Sequence, residues 1–171
     1  TRWLSDWSSD VCSSDLERIE EAKEGMLFIH ADFVDVADAE TIRRTLNRLV
    51  ERQVLRRVMN GIYEKPRYSS LLKEYVATDP HEVAKTLARN YHWSIAPDGS
   101  TALSLLGLSP QVTAVWSYRS DGPYRTYQLN HQQIVFKHRT NKEIAGLSDT
   151  TALVIQALKA LGRESIDAAV I

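Results

Sequence analysis

The 171-residue chain has a single cysteine, Cys12, and no apolar run approaching the roughly 18 residues that a membrane-spanning helix needs. A lone thiol forms no intramolecular disulfide, and a cysteine-based metal site needs several thiolates, so both features are excluded. Scarce cysteine is typical of a reducing compartment. We therefore expect a cytoplasmic protein that does not associate with a membrane.

The sequence also lacks the motifs that mark common enzymes. It contains no P-loop, no GxGxxG after a strand, no HExxH and no GxSxG. Its histidines do not pair at the helical i, i+4 spacing typical of a metal site. They are His30, His81, His92, His131 and His138. We expect no enzymatic activity, no cofactor and no bound metal.

One dipeptide tests that expectation. Gly99-Ser100 follows a predicted strand and resembles the Gly-Ser signature of nucleotidyltransferases, in which helix-terminal amides hold a triphosphate. That chemistry also requires two carboxylates, one residue apart on the next strand, to bind Mg²⁺. The next predicted strand, residues 112–118, contains no acidic residue. The enzyme interpretation therefore fails on its metal ligands, and Ser100 is predicted to be a helix N-cap.

Positive charge is concentrated in one segment of the chain. The net charge of the whole protein is −1, whereas residues 40–68 carry eight basic and three acidic residues, a net charge of +5. The basic residues are Arg43, Arg44, Arg48, Arg52, Arg56, Arg57, Lys65 and Arg67. A local basic patch in a nearly neutral protein is typical of a module that binds a polyanion.

This basic segment opens with an amphipathic helix. Ile42, Leu46, Leu49 and Val50 recur at helical spacing and predict its buried face. Asp38 precedes the helix and is predicted to be its N-cap. The opposite face carries Thr41, Arg44, Asn47 and Arg48.

A predicted hairpin follows this helix. Asn60-Gly61 separates two short β-rich runs and predicts a type I′ turn, because both residues tolerate positive φ. Upstream, residues 16–23 are predicted to form a helix and residues 28–34 a short apolar element. Helix, short helix, longer helix and hairpin is the order of a winged helix-turn-helix, which we predict for residues 16–68.

In a helix-turn-helix the second helix of the pair enters the major groove of DNA. Arg44 and Arg48 would then read guanine and Asn47 would read adenine, while basic residues in and after the hairpin would contact phosphates. The candidate DNA-binding residues are Thr41, Arg43, Arg44, Asn47, Arg48, Arg56, Arg57, Asn60, Lys65 and Arg67. The alternative is a wing that contacts protein and leaves the arginines as a solvated face.

Residues 69–171 are predicted to form a second, small α+β domain, so the fold class is α+β throughout. Helices are predicted after Asp79-Pro80, at residues 101–106, and at residues 150–161 behind a Ser148-Asp149 cap. Three β-rich runs between residues 112 and 137, separated by turn signals, predict an antiparallel sheet.

Basic and aromatic residues also occur together in this second domain. Lys137, His138, Arg139 and Lys142 follow the last predicted strand, and Tyr118, Tyr124 and Tyr127 lie near them in sequence. This composition is found on surfaces that bind nucleic acid or acidic proteins, and also at solvated strand ends.

The two ends of the chain are unlike a domain. Residues 1–15 repeat serine and aspartate without apolar periodicity and resemble translated sequencing-adapter sequence, the alternative being a disordered polar tail. The C-terminal residues are apolar and lack a closing turn, which suggests a truncated reading frame.

Several stretches together resemble a known family. They are IRRTLNRLVERQVLRRVMNGIYEKP, SIAPDGSTALSLLGLSPQV, SDGPYRTYQL, IVFKHR and TALVIQALKALG. These stretches, from about residue 16 to residue 162, resemble the bacterial AbiEi-type antitoxins, and more narrowly a related group of small antitoxin-like proteins.

The resemblance implies a component of a type IV toxin-antitoxin system. Its winged helix would bind repeats in its own promoter and repress the operon, with DNA contacts at Thr41, Arg44, Asn47, Arg48, Arg56 and Arg57. Its second domain, including residues 97–112, would counter a partner toxin of nucleotidyltransferase type without forming a stable complex with it. Two other functions remain open, a solitary regulator whose second domain senses a ligand or dimerises, and an enzyme acting on nucleotides.

Overall fold

A computed structural model of the chain describes residues 18–35, 37–109, 113–139 and 148–162. The chain divides into two compact units, Thr1–Thr86 and Leu87–Ile171, so the division falls later in the sequence than the predicted boundary after residue 68. The elements are mixed α and β, which confirms the predicted α+β class. The expectations for residues 1–15, for Lys142 and for the C-terminal end lie outside the described residues.

The first unit combines short helices with a three-stranded sheet. Its elements are a helical turn at residues 18–21, β1 (Leu27–Ile29), a 3₁₀ helix (His30–Phe33), α1 (Ala39–Glu51), β2 (Arg56–Met59), β3 (Ile62–Glu64), β4 (Tyr68–Ser69) and β5 (Glu74–Tyr75). The strand order of the main sheet is β1-β3-β2, and both pairings are antiparallel. The strands β4 and β5 pair with each other as a separate hairpin.

The buried face of α1 forms one side of the first unit's core. Ile42, Leu46 and Leu49 are each at most 2% exposed, which confirms the predicted face of this helix, and Val50 is partly buried at its border. They pack in one cluster with Ile19, Phe28, Phe33, Leu55 and Tyr63. Full burial of an aliphatic side chain stabilises a fold by about 1.5–3 kcal/mol, so these contacts hold α1 against the sheet.

The turn between β2 and β3 differs from the predicted type I′ turn. Gly61 has a φ of 80°, whereas the φ of Asn60 is not positive. The strand register also shifts between Arg57 and Met59. A two-residue turn with positive φ only at its second central residue is neither type I′ nor type II′, the two turns whose twist matches that of the flanking strands. The register shift lies in the strand directly before this turn.

The second unit is built around a four-stranded sheet. A helix that spans the division, α2 (Pro80–Tyr91), leads into β6 (Ile95–Pro97), α3 (Gly99–Leu105), β7 (Val115–Ser120), β8 (Arg125–Leu129), β9 (Gln132–His138) and α4 (Asp149–Leu161). The strand order is β6-β7-β9-β8. The pairs β6–β7 and β8–β9 are antiparallel, and the second of these agrees with the predicted antiparallel sheet. Strand β7 instead pairs with β9 in parallel, so the prediction that all three runs form a simple antiparallel succession is wrong.

The parallel pair follows from the path of residues 121–124, which carry the chain from β7 past the end of β9 to β8. Gly122 lies in this crossing, where its carbonyl is 2.9 Å from Nδ1 of His138 at the end of β9. Its amide donates to Oγ of Ser120 at 3.0 Å. A Cβ on Gly122 would lie 2.4 Å from the Trp93 ring, so the close crossing requires glycine.

The start of α3 corrects the prediction that Ser100 is its N-cap. The helix begins at Gly99 and the N-cap position belongs to Asp98, whose carbonyl accepts from the amides of Thr101 and Ala102 at 2.8 and 3.2 Å. The Asp98 carboxylate does not cap the helix. It accepts instead from Nε of Arg119 at 2.9 Å and from Nζ of Lys137 at 3.2 Å.

The predicted cap of α4 is confirmed, since Oγ of Ser148 accepts from the amide of Thr151 at 3.3 Å. Helix α3 packs against α4 and β7, and Ala96 of β6 packs against Ala152 of α4. Tyr118, Ile134 and Phe136 of the sheet are fully buried. Among the described residues, no helix combines the length and the apolarity that crossing a membrane requires.

Candidate nucleic-acid interface

The position of α1 is set at its first turn by Asp38. Its carboxylate accepts from the amides of Glu40 and Thr41 at 3.1 and 3.3 Å, and from the Thr41 hydroxyl at 2.6 Å. The Thr41 hydroxyl and the two amides hold the pKa of the Asp38 carboxyl below its usual value. The predicted cap is confirmed, and Thr41 therefore has its hydroxyl engaged within the helix.

The outward face of α1 carries a pair of exposed arginines. The side chains of Arg43 and Arg44 are 65% and 73% exposed, and both bind the carboxylate of Glu40. The bond from Nε of Arg44 is 3.0 Å long. Exposed ion pairs of this kind contribute only about 0–1 kcal/mol, so both guanidinium groups can exchange Glu40 for another anion at little cost.

Asn47 and Arg48 continue this surface one turn later. Asn47 is exposed, and Arg48 is half-buried. At about 100° per residue, Arg44 and Asn47 lie close to the centre of the outward face, while Arg48 lies towards its border. Arg52 is exposed at the C-cap and lies four residues after Arg48, so it extends the same row. The i, i+4 spacing could have identified Arg52 as a further site residue.

The register of the sheet places Arg57 on the same side as α1. Arg57 lies opposite Tyr63, which lies opposite Phe28 on the next strand. Residues paired across a sheet point to the same face. Because Phe28 and Tyr63 share the core cluster with α1, Arg57 belongs to that face at the exposed edge strand. Its Nη2 donates to Oδ1 of Asn60 at 2.7 Å, which anchors Arg57 to the turn.

Arg56 occupies the other face of the sheet and is bound internally. It pairs with the carboxylate of Glu64, whose side chain is only 5% exposed. It also donates to the carbonyl of Val76 at 3.1 Å and to Oγ1 of Thr78 at 2.9 Å. Thr78 in turn donates to Glu64 at 2.6 Å. Arg56 therefore neutralises a buried acid, and we leave it out of the candidate interface.

Lys65 is also engaged inside the first unit. Its ammonium donates to the carbonyls of Ile19, Glu20 and Ala22 at 3.0, 2.7 and 2.9 Å. These carbonyls belong to the helical turn at residues 18–21 and its C-terminal end, where a cation is electrostatically favourable. All three donors of the ammonium are used, so we leave Lys65 out as well. Arg67 is exposed just beyond it.

The structure therefore sorts the predicted DNA-binding residues into two groups. Residues at the surface of α1 and of the hairpin are Arg43, Arg44, Asn47, Arg48, Arg57 and Asn60, with Thr41 at the start of the helix, and Arg67 is exposed beyond the hairpin. Arg56 and Lys65 hold the unit together instead. We use the term basic face for Arg43, Arg44, Asn47, Arg48, Arg52 and Arg57.

Among the described residues, no group of three or more histidine, cysteine, aspartate or glutamate side chains could hold a metal ion.

The family of the chain follows from comparison with known proteins. Residues 15–171 match a family of unknown function, DUF6088. The chain belongs to this family. The DUF6088 match covers both units, so the basic face and the mixed sheet lie within one family region. No curated protein and no solved structure matches the chain.

Proposed function

We propose that this protein is a DNA-binding transcriptional autorepressor and the antitoxin of a type IV toxin-antitoxin system. The observation that carries the DNA-binding part is the basic face, in which exposed and half-buried cations lie along one side of α1 and Arg57 adds an exposed cation at the edge of the hairpin. Duplex DNA carries one negative charge per about 1.7 Å of helix axis, so a row of exposed cations one helix long matches its backbone.

We infer that the first unit is a winged helix-turn-helix. In support, the helical turn at residues 18–21, β1, the 3₁₀ helix, α1 and the β2–β3 hairpin follow one another in the order of that module. The first strand also pairs with the second strand of the hairpin, so the sheet order is β1-β3-β2. In this assignment α1 is the recognition helix and β2–β3 is the wing.

Docking of α1 in the major groove directs Arg44 and Asn47 towards base edges. Arg44 would read guanine through two parallel hydrogen bonds, and Asn47 would read adenine. Glu40 holds Arg44 while DNA is absent and must release it on binding. Arg57, at the hairpin edge, would contact phosphate and set the position of the module without reading sequence.

The antitoxin role is supported by the resemblance of the second-unit stretches, such as SIAPDGSTALSLLGLSPQV and IVFKHR, to AbiEi-type antitoxins. On this proposal the partner toxin is a nucleotidyltransferase in the same bacterial cytoplasm, and the DNA target is a set of repeats in the protein's own promoter. The alternative is a solitary winged-helix regulator whose second unit senses a ligand or dimerises.

DNA binding is tested with the full chain by fluorescence anisotropy against labelled duplexes tiled upstream of its own gene. We expect tight binding to one repeat-containing duplex, and at least about a thousandfold weaker binding to random duplex at physiological salt. Lys85→Ala serves as a charge-matched control for substitutions in the basic face. Lys85 is an exposed cation of α2 that pairs with Glu82 and lies outside the basic face. Equal affinity for all duplexes would instead support a wing that contacts protein.

The antitoxin role is tested by co-expression with a nucleotidyltransferase encoded beside the gene. Wild-type protein is expected to restore growth, and the Arg44→Ala variant is expected to restore it equally while losing repression. Failure of the wild-type protein to restore growth, with operator binding intact, would favour the solitary regulator.

A further inference from the structure

The second unit carries a surface cluster of two aromatic rings and one guanidinium, formed by Tyr91, Trp93 and Arg125. The rings of Tyr91 and Trp93 stack with their centroids 4.8 Å apart and their planes inclined by 22°. The guanidinium carbon of Arg125 lies 5.4 Å from the Tyr91 centroid and 5.8 Å from the Trp93 centroid. These similar distances place the guanidinium beside the stacked pair rather than beyond Tyr91. We call this group the stacking cluster.

The end of α2 holds the two rings in this arrangement. His92, between them, has φ of 55°, a left-handed conformation that is uncommon for residues other than glycine. The His92 amide donates to the Arg89 carbonyl at 3.3 Å, and the Trp93 amide donates to the Ala88 carbonyl at 2.8 Å. This pair of bonds is the Schellman motif, which reverses the chain and brings Trp93 back to Tyr91.

The Trp93 ring is held in place by contacts with Gly122 and Phe136, whereas Tyr91 is accessible to solvent. The Trp93 ring lies directly against the backbone of Gly122, where an added Cβ would approach it to 2.4 Å. Its edge meets the buried ring of Phe136 with centroids 5.5 Å apart at 67°. Tyr91 keeps 40% of its surface exposed. The Trp93 ring is held in place, and the partly exposed Tyr91 ring stacks on it. This pair is already organised to receive a planar ligand, which lowers the entropic cost of binding.

The charge of the cluster selects the class of ligand. Arg125 already places a cation beside both rings, so a cationic ligand would be repelled and an anionic ligand attracted. Residues 87–139 contain five basic and two acidic residues, a net charge of +3. A ligand that is planar and also carries negative charge matches a nucleobase with its phosphate. An acidic peptide would satisfy the charge but would not use the exposed face of Tyr91.

We propose that the stacking cluster binds single-stranded nucleic acid, with one base stacked on Tyr91 and the adjoining phosphate contacted by Arg125. Bases in a duplex are stacked on one another and cannot reach Tyr91, so the strand must be unpaired. This activity is separate from the binding of duplex DNA by the basic face, and it does not depend on the antitoxin role.

The test uses the full chain and a labelled 12-nucleotide single strand of mixed sequence, as RNA and as DNA, measured by fluorescence anisotropy. Tyr91→Leu removes the ring but keeps an apolar side chain, and it should weaken binding by at least about fivefold, because the stacking of a base on the aromatic ring is lost. Tyr91→Phe should bind within about twofold of wild type. Tyr75→Leu, at an exposed tyrosine of the first unit, is the matched control and should have no effect.

Further arms distinguish the ligand. Competition by AMP at micromolar concentration would identify a free nucleotide as the source of the base, whereas competition only at millimolar concentration would identify the strand. Arg125→Ala should reduce the slope of log affinity against log salt by about 0.7, the value for one phosphate contact on a single strand. Equal competition by a polyglutamate peptide, together with no effect of Tyr91→Leu, would overturn the proposal.

A measurement on the wild-type protein guards against a variant that does not fold. Photo-cross-linking of a 4-thiouridine strand should label the peptide that contains Tyr91 and Trp93. Cross-links confined to the first unit would overturn the proposal. Arg44→Ala should leave single-strand binding unchanged, and Tyr91→Leu should leave binding to the operator duplex unchanged, so failure of one activity is distinguishable from failure of the other.

Discussion

The two units use arginine in different environments. In the first unit Arg44 is exposed on a helix face and pairs with the partly exposed Glu40. In the second unit Arg119 is bound to the half-buried Asp98, and Arg125 lies beside two stacked rings. An arginine on an open helix face remains available to an external anion, whereas one paired with a partly buried acid is committed to the fold. The comparison shows that the surroundings of an arginine, more than the number of arginines, decide whether its guanidinium is available to an external anion.

The same contrast occurs within the first unit between the adjacent residues Arg56 and Arg57. Successive strand residues point to opposite faces of a sheet. Arg56 therefore meets the buried Glu64, while Arg57 lies at the edge beside the turn. Sequence composition counts both residues equally, but only Arg57 belongs to the basic face.

The largest effect is expected from breaking the internal network. Arg56→Ala leaves the Glu64 carboxylate buried with Thr78 as its remaining partner, and it should lower the free energy of unfolding by about 2–4 kcal/mol. Arg57→Ala should change it by less than about 0.5 kcal/mol, because Arg57 is exposed. Urea denaturation followed by circular dichroism measures both. Equal destabilisation by the two substitutions would contradict the division of roles.

The crossing at Gly122 supplies the corresponding test in the second unit. Gly122→Ala should lower the free energy of unfolding by about 1–3 kcal/mol, because its Cβ would overlap the Trp93 ring. Tryptophan fluorescence during urea denaturation should report the change, and the emission of the folded state should shift as Trp93 is displaced. Gly107→Ala is a control for glycine loss without a clash, since nothing lies within 4 Å of its Cβ position, although its φ of 69° adds backbone strain. A Gly122→Ala variant as stable as wild type would mean that the crossing is looser than the structure describes.

On the proposed DNA-binding role, two substitutions in the basic face separate base reading from phosphate contact. Arg44→Ala should weaken binding to the operator by about 1–3 kcal/mol and relax base preference at one position. Arg57→Ala should weaken binding to all sequences alike and reduce the salt slope by about one unit. Anisotropy titrations at several salt concentrations measure both effects. If Arg44→Ala lowered affinity for operator and random duplex equally, the docking of α1 would be wrong.

A smaller effect on stability is expected from substitution of Asp98, the acid that binds Arg119. Partial burial by itself raises the pKa of Asp98, but hydrogen bonds from Arg119 and Lys137 outweigh it and lower the pKa below its usual value. A carboxyl whose pKa is lowered by folding stabilises the folded state at neutral pH, and this contribution is lost as the pH falls through the folded-state pKa.

Asp98→Asn should therefore lower the free energy of unfolding by about 1–2 kcal/mol at pH 7. The difference from wild type should shrink as the pH falls from about 4, near the pKa of an unfolded aspartate, to lower values. Urea denaturation at a series of pH values measures this difference. A difference that does not change with pH would show that the carboxylate charge at Asp98 contributes nothing to stability.

Local patterns in the sequence were sufficient where one helix or one cap decides the structure. The helical spacing of Ile42, Leu46 and Leu49 predicts the buried face of α1, and Asp38 and Ser148 cap the helices that they precede. These features depend on residues within one or two turns of each other, so their physical causes are contained in a short stretch of sequence.

Local patterns failed where residues distant in sequence compete for the same group. Ser100 has the composition of an N-cap, but Asp98 occupies that position, and its carboxylate binds Arg119 of β7 and Lys137 of β9 instead of capping the helix. The parallel pairing of β7 with β9 likewise depends on the close approach of Gly122 to Trp93. This contact cannot be predicted from the runs of β-rich residues.

The α+β composition, the buried face of α1 and the concentration of positive charge in residues 40–68 follow from the amino-acid sequence alone, because each depends on local pattern or composition. The tertiary structure alone decided which of those charges remain on the surface, because strand alternation and the burial of Glu64 assign Arg56 to the interior network and Arg57 to the edge. It also brought Tyr91, Trp93 and Arg125 together. A left-handed residue at the end of α2 and the register of β8 against β9 create that proximity, and neither can be inferred from spacing along the chain.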